Sequence, residues 1–205
     1  MVSQPTEELA VHGTLQKVVY PLIAVLLSSA LGVTAGGAEQ PGKRPIPDRL
    51  VVLSFDDGNK SDITYVAPAL KRLGFGATFF VSEGLGFGGP GRLSWDDVRQ
   101  LDKWGFEIGN HSASHPNLLL IPPGQVRRQI DDFTQHCQRE QVTRPVSFAY
   151  PGGHHNRHAV NVLTDLNYRL ARRGTDPESP LLDWGGRGSA YAPLRDHPLL
   201  VPATL

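Results

Sequence analysis

The sequence predicts an α/β fold in which a parallel sheet curls toward a (β/α) barrel, and three observations predict it. Short β-branched apolar runs alternate with longer amphipathic stretches between residues 50 and 171, the pattern of parallel strands joined by right-handed helical crossovers. Five or six such steps follow in series, which favours closure over an open sheet. Polar clusters fall directly after the first, third and fourth runs, and barrels of this kind gather their chemistry at the C-terminal ends of strands.

The elements follow in order. Residues 50–55 are a continuous apolar run that reads as a buried strand. Residues 62–73 read as a helix in which Pro68 forces a kink or a late start. Residues 76–81 form a second strand, and a glycine-rich loop over 84–91 leads to Ser94-Trp95-Asp96-Asp97. Ser94 with an acidic residue three later is a capping signal, and it opens a helix reaching about Trp104. Residues 106–109 are a third strand. Pro122 or Pro123 starts a longer helix to about Gln141. Residues 146–150 are a fourth strand stopped by Pro151-Gly152-Gly153, residues 156–166 a helix, and 168–171 a fifth strand. A last strand is expected at 199–201.

Composition narrows the function. Twenty basic and twenty acidic side chains leave no net charge, so no long-range field draws the chain to nucleic acid. Cys137 is the only cysteine; it reads as a small apolar residue of a helix. Any metal must therefore use histidine and carboxylate. At the N-terminus, Lys17 precedes an apolar run over 18–33 and then Thr34-Ala35-Gly36-Gly37-Ala38. That arrangement matches a secretory signal peptide or an uncleaved anchor over residues 1–38, and the run is short of the roughly 20 residues a membrane span needs. Glu7 and Glu8 in a long leading segment are unusual for a signal. A linker over 39–49 and a domain over 50–205 follow.

The chemistry lies in two clusters. Phe55-Asp56-Asp57-Gly58 places two carboxylates at a strand end, so that one can bind a cation while the other moves a proton. By itself Asp-Asp-Gly is also a common surface turn. His111-Ser112-Ala113-Ser114-His115 sets two imidazoles four residues apart, on one side if that stretch is a helical turn. Together, Asp57, His111 and His115 make a three-ligand set with an open position, the pattern of a catalytic metal site. A divalent ion lowers the pKa of its water from 15.7 to about 7, and Asp56 beside it would be the base that takes the proton.

Four motifs in order, Ser54-Phe55-Asp56-Asp57-Gly58, Ala77-Thr78-Phe79-Phe80-Val81, His111-Ser112-Ala113-Ser114-His115 and Phe148-Ala149-Tyr150-Pro151-Gly152-Gly153, resemble the polysaccharide deacetylase family, the NodB-homology group of carbohydrate esterase family 4. The resemblance implies a distorted (β/α) barrel with fewer than eight strands. It also implies hydrolysis of N- or O-acetyl groups on an acetylated polysaccharide or oligosaccharide. Asp56 would be the base and Asp57, His111 and His115 the ligands of zinc, cobalt or another divalent ion. The Gly152 N–H would hold the oxyanion, with Tyr150 and Pro151 at the substrate.

The chain departs from that pattern in three places. Where the third motif often begins with an arginine that pairs with the base, Ala149 stands here; Arg172 or Arg173 could replace it, or be solvated surface charge. Asp183-Trp184 superficially matches a fourth motif but sits among glycines. The family's last motif, a strand ending in a histidine that serves as general acid, has no counterpart: His197 precedes an apolar run rather than following one. This reads as a barrel incomplete at its C-terminus. His154, His155 and His158 could approach the site or belong to a polar loop. The competing reading is a non-catalytic carbohydrate-binding fragment. Relatives that act on imides or formamides often lose a ligand position, and all three are filled here. Phosphatase chemistry is disfavoured because no phosphate-cradling helix N-terminus follows Asp-Asp-Gly.

Overall fold

In the computed structural model, residues 51–174, 191 and 196–203 are described. The leader, the linker and Asp183-Trp184 lie outside the described residues. The strands are β1 (Ser54–Phe55), β2 (Thr78–Val81), β3 (Glu107–Asn110), β4 (Ser147–Ala149) and β5 (Leu170–Arg172). All neighbouring pairs are parallel and the spatial order is the chain order. The helices α1 (Ala67–Leu73), α2 (Trp95–Lys103), α3 (Pro123–Arg139) and α4 (Arg157–Asp165) form the crossovers.

The sheet is curled, and one contact proves it. Strands four places apart in a flat sheet stand about 19 Å apart, yet Arg172 at the end of β5 touches Asp56 just after β1. The α/β, barrel-like architecture expected from the alternating pattern is the one observed.

Side-chain alternation then divides the sheet into two faces. Phe79, Val81 and Ile108 pack outward with Val98 and Leu101 of α2 and Phe133 and Cys137 of α3. Phe148 and Ala171 pack outward with Val126 and Ile130 of α3 and Val160 and Leu163 of α4. The buried stripe of α3, at 126, 130, 133 and 137, has the spacing of one helix face. It joins the two halves of the core.

Several local expectations hold for identifiable reasons. Ser94 caps α2: its Oγ accepts from the Asp97 amide, while the Ser94 amide donates to Asp97 Oδ2 at 2.8 Å. Lys60 Nζ, 2.6 Å from the same oxygen, ties the loop after β1 to this cap. Pro68 delays the α-helix: residues Asp62–Val66 form a π-helical turn and α1 begins at Ala67, because proline offers no N–H to the ladder.

Other boundaries differ. The first strand is much shorter than its apolar run, with Val51 and Val52 each 76% exposed, because β1 is the sheet edge and has only β2 to pair with. The last expected strand is instead a 3-10 turn, Pro198–Leu200. Proline's fixed φ and the His197 ring, which accepts the Leu199 amide at 3.1 Å, favour a turn there. Only Val201 bridges to Arg172, in the parallel sense. His197 accordingly lines a cavity of about 620 Å³ with Tyr168 and Arg169, at the end of β5 opposite the Asp56 rim.

Candidate metal and catalytic site

Asp57, His111 and His115 converge, although their loops are far apart in sequence. Asp57 Oδ1 lies 3.4 Å from the Nε2 atoms of both His111 and His115, and the two Nε2 atoms are 3.2 Å apart. A tetrahedron with ligand bonds of about 2.0–2.1 Å has edges of about 3.3 Å. The donor triangle therefore fits one divalent cation with the fourth vertex left open, and the fit rests on the donor set and its spacing.

The convergence does not come from a helical turn, as the four-residue spacing suggested. Residues 111–115 form a loop in which Ser112 and His115 have φ of 65° and 56°, and Asp57 itself has φ of 71°. Non-glycine residues in the left-handed region are costly, and such strain collects at functional sites where surrounding contacts over-determine it. Those contacts are visible. The Ala113 amide donates to the Gln129 carbonyl at 2.8 Å, and its carbonyl accepts the Glu83 amide at 3.0 Å. The Ser114 amide donates to Gln129 Oε1 at 2.8 Å. Within the loop, the His115 amide donates to Ser112 Oγ at 3.0 Å.

The protonation states suit a metal. His111 Nδ1 donates to the Ala149 carbonyl at 2.8 Å, which selects the tautomer whose Nε2 lone pair faces Asp57 and His115. Proximity to the His111 imidazole, whose protonated form would donate to it, holds the Asp57 carboxyl below its ordinary value despite burial. Burial, reinforced by the His111 charge, lowers the His115 pKa. Both directions favour the deprotonated, ligating forms.

Asp56 stands beside this triangle. Arg172 Nη2 lies 2.5 Å from each of its carboxylate oxygens. Of the two arginines considered at the end of the fifth strand, Arg172 is the one on Asp56; Arg173 is fully buried and donates to the Gly174 carbonyl. The Arg172 carbonyl in turn accepts the Tyr150 amide at 3.0 Å. A circuit of contacts thus runs from Asp56 to Arg172, along the end of β4 to Ala149, across to His111 and back to Asp57.

The third-motif residues divide. Gly152 is exposed on the turn after β4. Tyr150 and Pro151, expected at the substrate, are both buried. The Tyr150 hydroxyl donates to the Leu199 carbonyl at 3.0 Å and its ring packs on Phe148. Alternation puts the Tyr150 side chain on the helix-facing side of β4, with Pro151 buried at the start of the turn that follows. Of the extra histidines, His154 lies against Gly152: a Cβ on Gly152 would fall 3.2 Å from its Nε2. His155 turns onto the Gly153 carbonyl and the Tyr150 ring. His158 Nε2 donates to the Pro123 carbonyl at 2.9 Å.

Two residues of the site escaped the sequence reading. Arg92 Nη1 donates to the Asp57 carbonyl and to Asn59 Oδ1, both at 3.0 Å, and so braces the Asp-Asp-Gly turn. Asn110 is fully buried beneath the histidine loop. An amide side chain at the last position of a buried strand, next to a candidate ligand, was the signal available for Asn110. Arg92, in a glycine-rich loop, carried none.

Comparison with known proteins agrees with this geometry. A family described as polysaccharide deacetylase matches residues 43–171, well over half of the chain. The chain belongs to the polysaccharide deacetylase family. Among curated relatives of this deacetylase-family chain, the putative polysaccharide deacetylase YxkH of Bacillus subtilis is 24% identical over 143 residues, covering 70% of this chain and 50% of that protein. The peptidoglycan-N-acetylmuramic acid deacetylase PdaC of Bacillus subtilis is 29% identical over 140 residues, 68% of this chain and 27% of that one. The chain therefore spans about half the length, or less, of these two relatives. Among solved structures, the Streptococcus pyogenes deacetylase PplD superposes with a TM-score of 0.62 at 21% identity, over 76% of this chain and 64% of that one. That likeness concerns the fold.

Proposed function

We propose that this polysaccharide deacetylase-family chain is a metal-dependent hydrolase that removes acetyl groups from a glycan. The observation that carries the proposal is the triangle of Asp57, His111 and His115 with an Arg172-held Asp56 beside it. Family membership supports the reaction class, and the names of relatives that act on peptidoglycan support an N-acetylated cell-wall or related polysaccharide as substrate.

Asp57, His111 and His115 would hold the cation, with zinc favoured by two imidazoles and one carboxylate and cobalt an acceptable substitute. Bound there, it would supply Lewis acidity toward the acetyl carbonyl and activate water near neutral pH. Asp56 takes the proton of the attacking water. The Gly152 N–H, on the exposed turn after β4, donates to the oxygen that becomes negative in the tetrahedral intermediate. Tyr150 and Pro151 support that donor from below. As the acyl C–N or C–O bond breaks, the proton held by Asp56 passes to the leaving nitrogen or oxygen, releasing acetate and the free amine or hydroxyl. The leader pattern at residues 1–38 supports export, where such a polymer would be met.

The test pairs two variants. Asp56→Asn is expected to abolish release of acetate from acetylated chito-oligosaccharide while zinc content stays at the wild-type level. His111→Ala is expected to lose the zinc. Near-native turnover by Asp56→Asn would remove Asp56 from its role.

A further inference from the structure

The cavity of about 620 Å³ at the start of β5, away from the metal triangle, has walls that are fixed by the fold. Tyr168 lines it, and the Tyr168 hydroxyl is tied to Asn110 Nδ2 at 2.6 Å and to Thr134 Oγ1 at 2.7 Å. The 3-10 turn Pro198–Leu200 supplies a second wall. It is pinned where the Leu199 carbonyl accepts the Tyr150 hydroxyl at 3.0 Å, and just beyond it the Val201 amide donates to the Ala171 carbonyl at 2.9 Å. A volume of several hundred cubic ångströms is that of a small-molecule site, here enough for a sugar ring and its substituents.

Its charge is one-sided. Arg144 and Arg169 line the cavity, and among the described residues no carboxylate does. The ion pairs of this chain use Arg99, Arg127 and Arg172 instead, and neither Arg144 nor Arg169 forms one among the described residues. Arg144 is nevertheless held still. Its Nη2 donates to the Leu166 carbonyl at the end of α4, its Nη1 donates to the Pro145 carbonyl at 3.3 Å, and its Cζ stands 5.6 Å from the centroid of the Tyr168 ring. Capping the helix explains why the side chain is ordered. It does not neutralise the charge, because both acceptors are uncharged carbonyls, and it uses only part of the five N–H donors a guanidinium offers. Arg169 has its backbone amide on the Val146 carbonyl at 2.8 Å and an exposed side chain, so its base is fixed while its guanidinium keeps its reach. Two such cations on one cavity raise the local potential and favour an anion there.

We propose that this cavity is a second binding site, separate from the metal centre, for a sugar-sized ligand that carries an oxyanion, either carboxylate or phosphate. Arg144 is its anchor. The guanidinium is immobilised before the ligand arrives, so binding orders no long side chain, and its planar donor edge matches two oxygens of a carboxylate or phosphate. Arg169 adds a second charge from the start of β5, and Thr164 and Asn167, also in the lining, offer a hydroxyl and an amide to the ring hydroxyls. The site goes beyond the deacetylase reading and does not depend on it.

Titration calorimetry on the full chain, with glucuronate, glucose-6-phosphate and neutral glucose as probes, tests this without any turnover. At least one of the two anionic sugars is expected to bind with a Kd of about 1 mM or tighter, and the tighter of them tells carboxylate from phosphate. Glucose should bind at least about 10-fold more weakly, and added salt should weaken the anionic sugars alone. Because an anion can also reach a bound metal, the titration is repeated on His111→Ala, whose affinity for the same sugar should be unchanged. Arg144→Lys keeps the charge without the planar fork and should weaken binding by about 10-fold. It also touches the end of α4, so Arg169→Ala is the companion variant. That side chain makes no bond to the described residues, and its loss should weaken binding by about 10-fold at an unchanged melting temperature. The proposal is overturned if neither anionic sugar binds at about 10 mM, if glucose binds as well as they do, if binding disappears in His111→Ala, or if Arg169→Ala leaves the affinity as it was.

Discussion

Asn110 Oδ1 accepts the Ser112 amide at 2.7 Å, and this bond holds the first left-handed residue of the histidine loop over the end of β3. The Asn110 Nδ2 donates to the Ile130 carbonyl at 2.8 Å and to the Tyr168 hydroxyl at 2.6 Å. One buried amide therefore joins the metal loop, α3 and the approach to β5. Asn110→Ala is expected to destabilise the fold by about 3 kcal/mol, since it leaves several buried groups unpaired at roughly 1–3 kcal/mol each. Chemical denaturation measures the loss, and zinc affinity measured on the folded fraction should weaken with it. A variant with unchanged midpoint and affinity would show that the loop holds itself.

Zinc binding should depend on pH in a defined direction. Binding needs His111 and His115 neutral and Asp57 ionised, so affinity must fall as acid protonates them. Because the His115 pKa lies below its ordinary 6.5 and that of Asp57 below 3.8, the part of the fall that comes from these two ligands should lie at lower pH than for their solvent-exposed counterparts. Titration calorimetry between pH 5 and 8, on a grid of about half a unit, checks this. Removing one ligand, as in His115→Ala, is expected to weaken zinc by about 100-fold or more, beyond the 10–100-fold that loss of an outer partner costs.

Asp62 gives a separate pH signature. It is buried, and that burial pushes its pKa up to about 6 against an ordinary 3.8, although the Asn59 amide donates to its Oδ2 at 3.0 Å. A carboxyl whose folded pKa is raised contributes its stability below about pH 4 and loses it as pH rises through about 6. The shift corresponds to roughly 3 kcal/mol as an upper figure. Asp62→Asn keeps an acceptor for the Asn59 amide and cannot ionise, so it should be the more stable form at pH 7–8, while the difference should shrink toward pH 4. Melting temperatures across that range decide it; a difference that grew toward acid would refute the assignment.

Cys137 should be inert in the native state. It is fully buried on α3, and burial pushes its thiol pKa to about 12. Thiol reagents act on the thiolate, so labelling at pH 8 should require unfolding and follow the denaturation curve. Rapid labelling of folded protein would contradict the packing of α3 against β2 and β3.

Much of the site was legible in the chain because its signals are local. Strands and helices announce themselves over a few residues by period and by caps such as Ser94 with Asp97, and the rim position of Asp56, Asp57 and His111 follows from counting strand ends. Boundaries at the sheet edge were not legible, because Val51 and Val52 look identical whether or not a neighbouring strand covers them. Nor was the placement of the Tyr150 side chain, which depends on which face of β4 the helices take.

The succession of strands and helices, the candidate ligand residues and the family resemblance were thus legible in the sequence alone, since each rests on residue type and short-range pattern. Tertiary structure decided which atoms meet. It brought Asp57 to two histidines through left-handed turns that no spacing rule describes, and chose Arg172 over Arg173. The physical reason is distance along the chain: closing the curl brings together side chains from five strands, and their contacts depend on register and facing, which only the assembled sheet defines.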